Sequence, residues 1–566
     1  MRKWYRLLAG AALLGATACS DRLAVENTNS ADRTRALARP TDVEALIKAS
    51  FFTFHQGILG TNTNIQPGLM NMGLESYALL ANFGMVIRGA IPRLPIINDR
   101  GNQVGAENYA PYQALHRAAR QAAVGLAAVN APGFTFFPAS AAQVRRARAF
   151  AHMTIGIALG HVALAYDSGA AVNENDDATG PPLPLIGYDS LMRYAISKLD
   201  SAIAIAPGML ALGTDWINGQ ALDANGLIAF AKCWRARFRA NVGRTPAERA
   251  AADWSAIRQD AADCAAAFPN DFAVTTNTTT GWTVAWPLQH YLYQNWHQMW
   301  QFMVGMADTS GAYDAWLATP LANRTAFLVR TPDRRFPSGD TRAAQQAASN
   351  LAVGYPTGTY DATGLWWHVR PYFRNRLNAD DVTADPWASS QYDFYRTAFH
   401  RLPSGLNRNG PHPLIMAPEM DLLQAEAEYR AGNFVNAARL INRSRITRGG
   451  LRGVDTVGTT ASTLVPGTDG VAGSAGCVPR VPNNTATAAS CGTLFEALKW
   501  EMRMETAFLW WGAWYFYGRG WGDLPTGTAL HFPVPYQELD ARRLPIYSLG
   551  GVGGIQSSGP SNYGIQ

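Results

Sequence analysis

The stretch "LLQAEAEYRAGNFVNAARLINRSRITRGGL", Leu422 to Leu451, carries two helical patterns joined at one turn. Leu422, Ala425 and Tyr429 share a face, the chain turns at Gly432-Asn433, and Phe434, Ala437, Ala438 and Ile441 resume the apolar stripe. Small residues at the facing positions let two helices approach closely. This is the helix-turn-helix grammar of a tetratricopeptide-type repeat, a unit that buries its face only by stacking on neighbours.

Working outward, the first half of the chain repeats that grammar. "PTDVEALIKASFFTFHQG" opens with Thr41 as an expected N-cap and Glu44 three residues on, a capping box, and Val43, Leu46, Ile47 and Phe51 follow at helical spacing. "YQALHRAARQAAVGLAAV" and the longer, more apolar "SAAQVRRARAFAHMTIGIALGHVALAY" predict two further helices. "YDSLMRYAISKLDSAIAIA" adds another after a polar loop, and Asp223 to Ala240 and Thr245 to Ala267 are also expected to be helical. From about Asn270 to Pro411 the pattern changes to Thr, Asn, Gly, Pro and aromatics with few periodic segments, and loops that long are usually functional. Near the C-terminus, "TLFEALKWEMRM" reads as a helix with Leu494, Leu498 and Met502 on one face. It runs into "ETAFLWWGAWYFYGRGWGDL", whose Gly and charged residues leave no apolar run long enough to span a membrane.

Composition narrows the function classes. The chain has 566 residues, is 48% hydrophobic and 16% charged, and holds 17 Trp. Its net charge of +6 is spread, with no Lys/Arg-rich run of the kind that nucleic-acid binding concentrates. "MRKWYRLLAGAALLGATACSD" reads as an export signal: basic residues, an apolar segment from Leu7 to Ala16, then small residues before Cys19. Ala16-Thr17-Ala18 fits ordinary secretion, whereas a small residue directly before Cys resembles a lipobox, with Ala16 where Leu is usual. The lipoprotein reading is preferred, with residues 1–18 removed, Cys19 as lipid anchor and the polar residues 19–40 as a tether. In an oxidising compartment Cys477 and Cys491 could close the loop "CVPRVPNNTATAASC", while the state of Cys233 and Cys264 is left open.

Taken together, the lipobox-like Cys19, the opening hairpin, "LKWEMRMETAFLWWGAWYFYGRGWGDL" and the closing "LHFPVPYQEL" resemble the SusD/RagB family of outer-membrane nutrient-uptake lipoproteins. The resemblance is best over 411–549 and weaker over 39–206. It implies one mainly α domain over 41–566: a tetratricopeptide-like helical-pair scaffold (41–269), a loop-rich, aromatic-rich ligand lobe (270–411), and a hairpin with a C-terminal core motif (412–566). It also implies a lipid-anchored, surface-exposed protein in the outer membrane. That protein would capture an oligosaccharide, or in some members a peptide, for a TonB-dependent transporter barrel, without cofactor or catalytic turnover. The chain departs from the family's usual Asp in the C-terminal motif, where it has Phe516, so local packing there is an open point.

The residues themselves are consistent with binding. No GxSxG, GxxxxGK[ST], HExxH or GxGxxG motif occurs, although glycosidase carboxylates have no sequence signature and an exported glycan-active enzyme remains the rival reading. A helical-repeat interaction scaffold without a small ligand is a third. "VNENDDATG" alternates Asn173, Asn175 and Asp177 but lacks the Gly and Glu of a calcium loop, so a solvated connection is expected and no metal is assigned. Sugars need flat rings beside amides and charged groups. One tract holds Trp282, Trp286, Tyr293, Trp296 and Trp300, another Trp366, Trp367, Arg370 and Tyr372, and the polar "GTNTNIQPG" contributes Asn62, Asn64 and Gln66. Most rings of the C-terminal motif are expected to be core.

Overall fold

The computed structural model describes residues 37–566 except 38, 79–83, 103, 177–179, 278, 286–296, 354–371, 376–384 and 396–409. Ten longer or motif-bearing helices frame it: α1 (Pro40–His55), α2 (Gly105–Asn130), α3 (Ala141–Ala165), α4 (Tyr188–Ile205), α5 (Ala224–Asn241), α6 (Trp254–Ala267), α7 (Ala417–Arg430), α8 (Phe434–Thr447), α9 (Leu494–Thr506) and α10 (Ala513–Trp521). Strands are short and paired in twos, so the architecture is mainly α. Those used below are β1 (Tyr77–Ala78), β2 (Phe272–Thr276), β3 (His297–Gln298), β4 (Tyr372–Asn375), β5 (Tyr392–Tyr395) and β6 (Gly410–Ile415).

Helix α1 starts two residues earlier than the capping-box reading. Pro40 takes the first helical position, where its fixed φ suits the turn and its missing N–H is no loss, and Arg39 is the N-cap with no side-chain bond. Glu44 therefore does not cap; it accepts from Gln143 at 2.9 Å and pairs with Arg146 at 2.6 Å on α3. Val43, Ile47, Phe51 and Phe54 form the buried face.

Helix α3 is long and apolar enough to cross a membrane, yet 94% of its most apolar window is buried inside the protein. Its small residues explain how neighbours come so close. A Cβ at Gly156 would lie 2.8 Å from the Ala195 carbonyl of α4, and one at Gly160 would lie 2.2 Å from the Phe238 ring of α5. The expected helix over 245–267 is split into Pro246–Ala250 and α6, each opened by its own cap, Thr245 and Asp253.

The opening hairpin forms as read. Helices α7 and α8 flank Gly432, whose φ of +78° is the left-handed turn that glycine adopts without strain. The hairpin α5–α6 is bridged by Cys233–Cys264, with Cα atoms 5.1 Å apart, and stacks on α7. Cys477 and Cys491 are also bridged, with Cα atoms 5.7 Å apart.

Two fully buried ion pairs join these hairpins to the C-terminal motif. Arg237 of α5 forks onto Glu419 of α7, which also accepts from the Tyr517 hydroxyl at 2.6 Å. Arg249 forks onto Glu426 at 2.8 and 2.6 Å, beside the Trp521 indole. Helix α10 is buried along its whole length. Phe516 packs against Trp510 and Trp511 with Arg519 5.0 Å over its ring, so a ring fills this position without exposing a cavity edge. The motif is a wedge of core.

The irregular middle is an insertion between paired strands. β2 and β6 run antiparallel, Gly410 opposite Thr276 and Ile415 opposite Phe272, so residues 277–409 leave and return at one place. Contrary to a purely loop-like reading, this part has a core of its own: Trp300, Phe302, Tyr313, Trp316, Phe336, Phe373, Trp387 and Tyr392 cluster with Trp500 and Trp514 from the scaffold. Aromatic rings, each burying a large area, replace periodic helices as its source of stability.

Candidate ligand-binding site

The described residues place the sequence-assigned site residues unevenly. Asn64 is fully buried and committed to the scaffold: its amide donates to the Gly57 and Ile58 carbonyls, and its carbonyl accepts from the Trp511 indole at 2.7 Å and the Gln66 amide at 3.0 Å. Gln66 donates to the Trp510 carbonyl at 3.0 Å. Trp282 is 9% exposed and packs on Phe51, Phe52 and His55. Trp300 is buried with its indole N–H on the Ser76 carbonyl at 2.8 Å. These residues are taken up by packing, because a polar loop and a ring adjoining α1 and α10 are covered by the very helices they adjoin. Asn62 is exposed. Tyr372 opens β4 opposite Tyr395. Trp286, Tyr293, Trp296, Trp366, Trp367, Arg370 and Cys19 lie outside the described residues, as does Asp177. Asn173 and Asn175 form a local side-chain-to-backbone turn at 2.8 Å.

What the fold does establish is where the chain enters and leaves those tracts. Ala285 donates to the Leu59 carbonyl at 2.7 Å and Thr283 to the Gly60 carbonyl at 2.9 Å, just before Asn62. At the other end, His297 of β3 pairs with Ala78 of β1. Met299 then donates to Tyr392 at 2.9 Å and Gln301 to Ala388 at 3.1 Å, and β5 pairs in turn with β4, which begins at Tyr372. One wall thus carries the anchors of the polar loop and of both aromatic tracts.

That wall has a polar cluster that the sequence did not reveal. Tyr77, half-buried, donates its hydroxyl to Asp385, and burial followed by the Asp385 charge pushes its pKa up to about 12. Asp385 accepts from the Trp387 amide at 2.8 Å and the Ala388 amide at 3.1 Å; burial nevertheless raises its pKa, against those bonds and the charge of Arg93. The buried Arg93 is lowered to about 9 by desolvation, with Asp385 countering. The Arg93 guanidinium is itself spent on the Met72 carbonyl at 3.1 Å and the Thr528 hydroxyl at 3.1 Å, which leaves the Asp385 carboxylate and the Tyr77 phenol, at the edge of a ring-rich wall, to exchange hydrogen bonds with hydroxyls of a neutral ligand. Tyr77 and Asp385 carry no motif and sit far apart in the chain, so no sequence signal could have paired them.

The backbone arrangement can be compared with solved structures. The chain is similar to a SusD superfamily protein from Bacteroides vulgatus, with a TM-score of 0.50 over 89% of this chain and 90% of that one at 11% identity.

The fold is SusD-like.

Two further SusD-like structures align less closely. One, from Parabacteroides distasonis, gives a TM-score of 0.48 at 9% identity over 89% of this chain and 97% of that one. The other, a laminarin binding SusD-like protein, gives 0.44 at 13% identity over 90% and 99%. No family model matches the chain, and no curated protein matches it.

Proposed function

We propose that the protein is a surface lipoprotein of the SusD/RagB family that captures an oligomeric nutrient, a glycan, and passes it to a TonB-dependent transporter barrel. The observation that carries this reading is the wall on which β1, β3, β4 and β5 gather the anchors of the polar loop and both aromatic tracts beside Tyr77 and Asp385. Rings for sugar C–H faces and charged partners for hydroxyls are what glycan capture requires. The fold supports the family, the export signal over residues 1–18 followed directly by Cys19 supports an outer-membrane anchor, and residues 41–566 form a single unit beyond the tether in this reading.

Glycan-array and peptide-library binding by the protein without its leader tests the capture role. Specific retention of glycans is expected, with Trp296→Ala or Trp366→Ala weakening it and leaving the melting temperature nearly unchanged. Retention of neither class removes the capture role. Membrane fractionation checks the anchor: Cys19→Ala should release the protein, and continued sedimentation with membranes would overturn lipidation.

A further inference from the structure

Two connections meet at one end of the helical scaffold, 131–140 between α2 and α3 and 206–211 after α4, and neither carries a charged side chain. The Leu210 amide donates to the Ala142 carbonyl at 2.9 Å and Arg146 to the Ala211 carbonyl at 3.1 Å, so both connections adjoin the start of α3. Phe136 is buried and packs edge-on against Phe134, ring centroids 5.1 Å apart, which pins the first connection with the next side chain turned outward. That side chain is Phe137, 100% exposed, more than any other large apolar residue described, and Leu210 in the second connection is 46% exposed. A lone exposed ring is ordinary on a protein surface. One that stands on an uncharged surface of two connections, with Pro132, Pro138 and Pro207 exposed as well, marks a contact surface.

The described chain also starts at this end. Helices α1 and α3 both begin here, since Glu44 in the second turn of α1 bonds Gln143 and Arg146 in the first two turns of α3. The first residue described is Leu37, and Cys19 stands 18 residues ahead of it, at most ~60 Å along an extended chain. This is the end that an anchor at Cys19 draws towards the bilayer. Charge agrees with that placement. Glu44 is spent on Arg146 and Asp215 on Lys48, each at 2.6 Å, which leaves Arg39 and Arg145 exposed against Asp42. An apolar ring flanked by cations suits a bilayer with anionic headgroups, where the ring enters the acyl boundary and the arginines gain from the surface potential.

We propose that this end of the scaffold docks on the bilayer surface, with Phe137 inserted between lipid headgroups and Arg39 and Arg145 facing their phosphates. The inference rests on the Cys19 anchor of the proposed function, which supplies the proximity, while the contact itself is measurable without the anchor.

Flotation of the leaderless full chain carrying Cys19→Ala with vesicles of phosphatidylcholine and phosphatidylglycerol tests it. Half of the protein should bind at on the order of 1 mM lipid, weaker than a single myristoyl chain gives and too weak to replace the anchor. Phe137→Ala should weaken binding about tenfold, as withdrawing one large apolar side chain from the bilayer does, with the melting temperature unchanged because the ring is wholly exposed. Val457→Ala, at a residue 81% exposed in the connection after α8, should leave binding as it was. No flotation at lipid concentrations up to ~10 mM overturns the proposal. So does binding that Phe137→Ala leaves unchanged, or that Val457→Ala weakens equally. A Phe137-dependent dimer, or Phe137-dependent co-purification of a barrel, without flotation would assign the surface to that partner and overturn it too. None of these outcomes bears on lipidation at Cys19, which is read separately by fractionation.

Discussion

Glu75 buries a carboxyl with no cation paired to it among the described residues: one oxygen accepts from the Phe508 amide and the other has no hydrogen-bond partner among them. Burial pushes its pKa from 4.5 up to about 8, against that hydrogen bond. A raised folded-state value means that the protonated form is the stable one in the fold, so its contribution is complete below pH 4.5 and is lost as pH rises through 8. Glu75→Gln should therefore match the parent in thermal melts near pH 4.5 and exceed it at pH 8, by on the order of a few kcal/mol at most. A gap that stays constant with pH would contradict this. Asp385 makes a different prediction at the same scale. Asp385→Asn leaves the turn amides bonded but removes a charged acceptor beside Tyr77, so glycan affinity should fall by roughly 1–2 kcal/mol, read by calorimetry, with little change in melting.

Among the elements, α3 buries Phe150, Ile155, Ile157 and Leu159, and its glycines set how closely α4 and α5 approach it. Gly160→Ala would put a methyl 2.2 Å from the Phe238 ring and push α5 away, at about 1–3 kcal/mol measured by denaturant unfolding. A neutral result would mean that the ring moves aside freely. Helix α10 is tied differently, through Tyr517 and Trp521 to carboxylates already paired with buried arginines. The aromatic run "ETAFLWWGAWYFYGRGWGDL" and the α7–α8 hairpin were legible in sequence because each carries its own local pattern. The burial of Trp282 and Trp300 was not, since a ring that binds sugar and one that fills a core look alike along the chain.

For the molecule as a whole, the paired ends of β2 and β6 make the lobe look removable, while its shared core argues otherwise. Replacing 277–409 by a two-residue turn would keep Thr276 opposite Gly410 but uncover Trp500, on which Phe336 of the lobe now stacks. Such a protein should keep helical circular dichroism, bind a hydrophobic dye and lose glycan binding. If it bound no dye and melted as the parent does, lobe and scaffold would be energetically independent. By itself the sequence determined the helical periodicity, the Gly432 turn and the mainly α class, because helices are specified by neighbours three and four residues away. Only the tertiary structure decided that Asn64 belongs to the core, that Glu44 pairs with Arg146 rather than capping, and that Tyr77 meets Asp385 on one wall. Those outcomes depend on contacts between residues distant in the chain, and nothing in the residues flanking either partner encodes them.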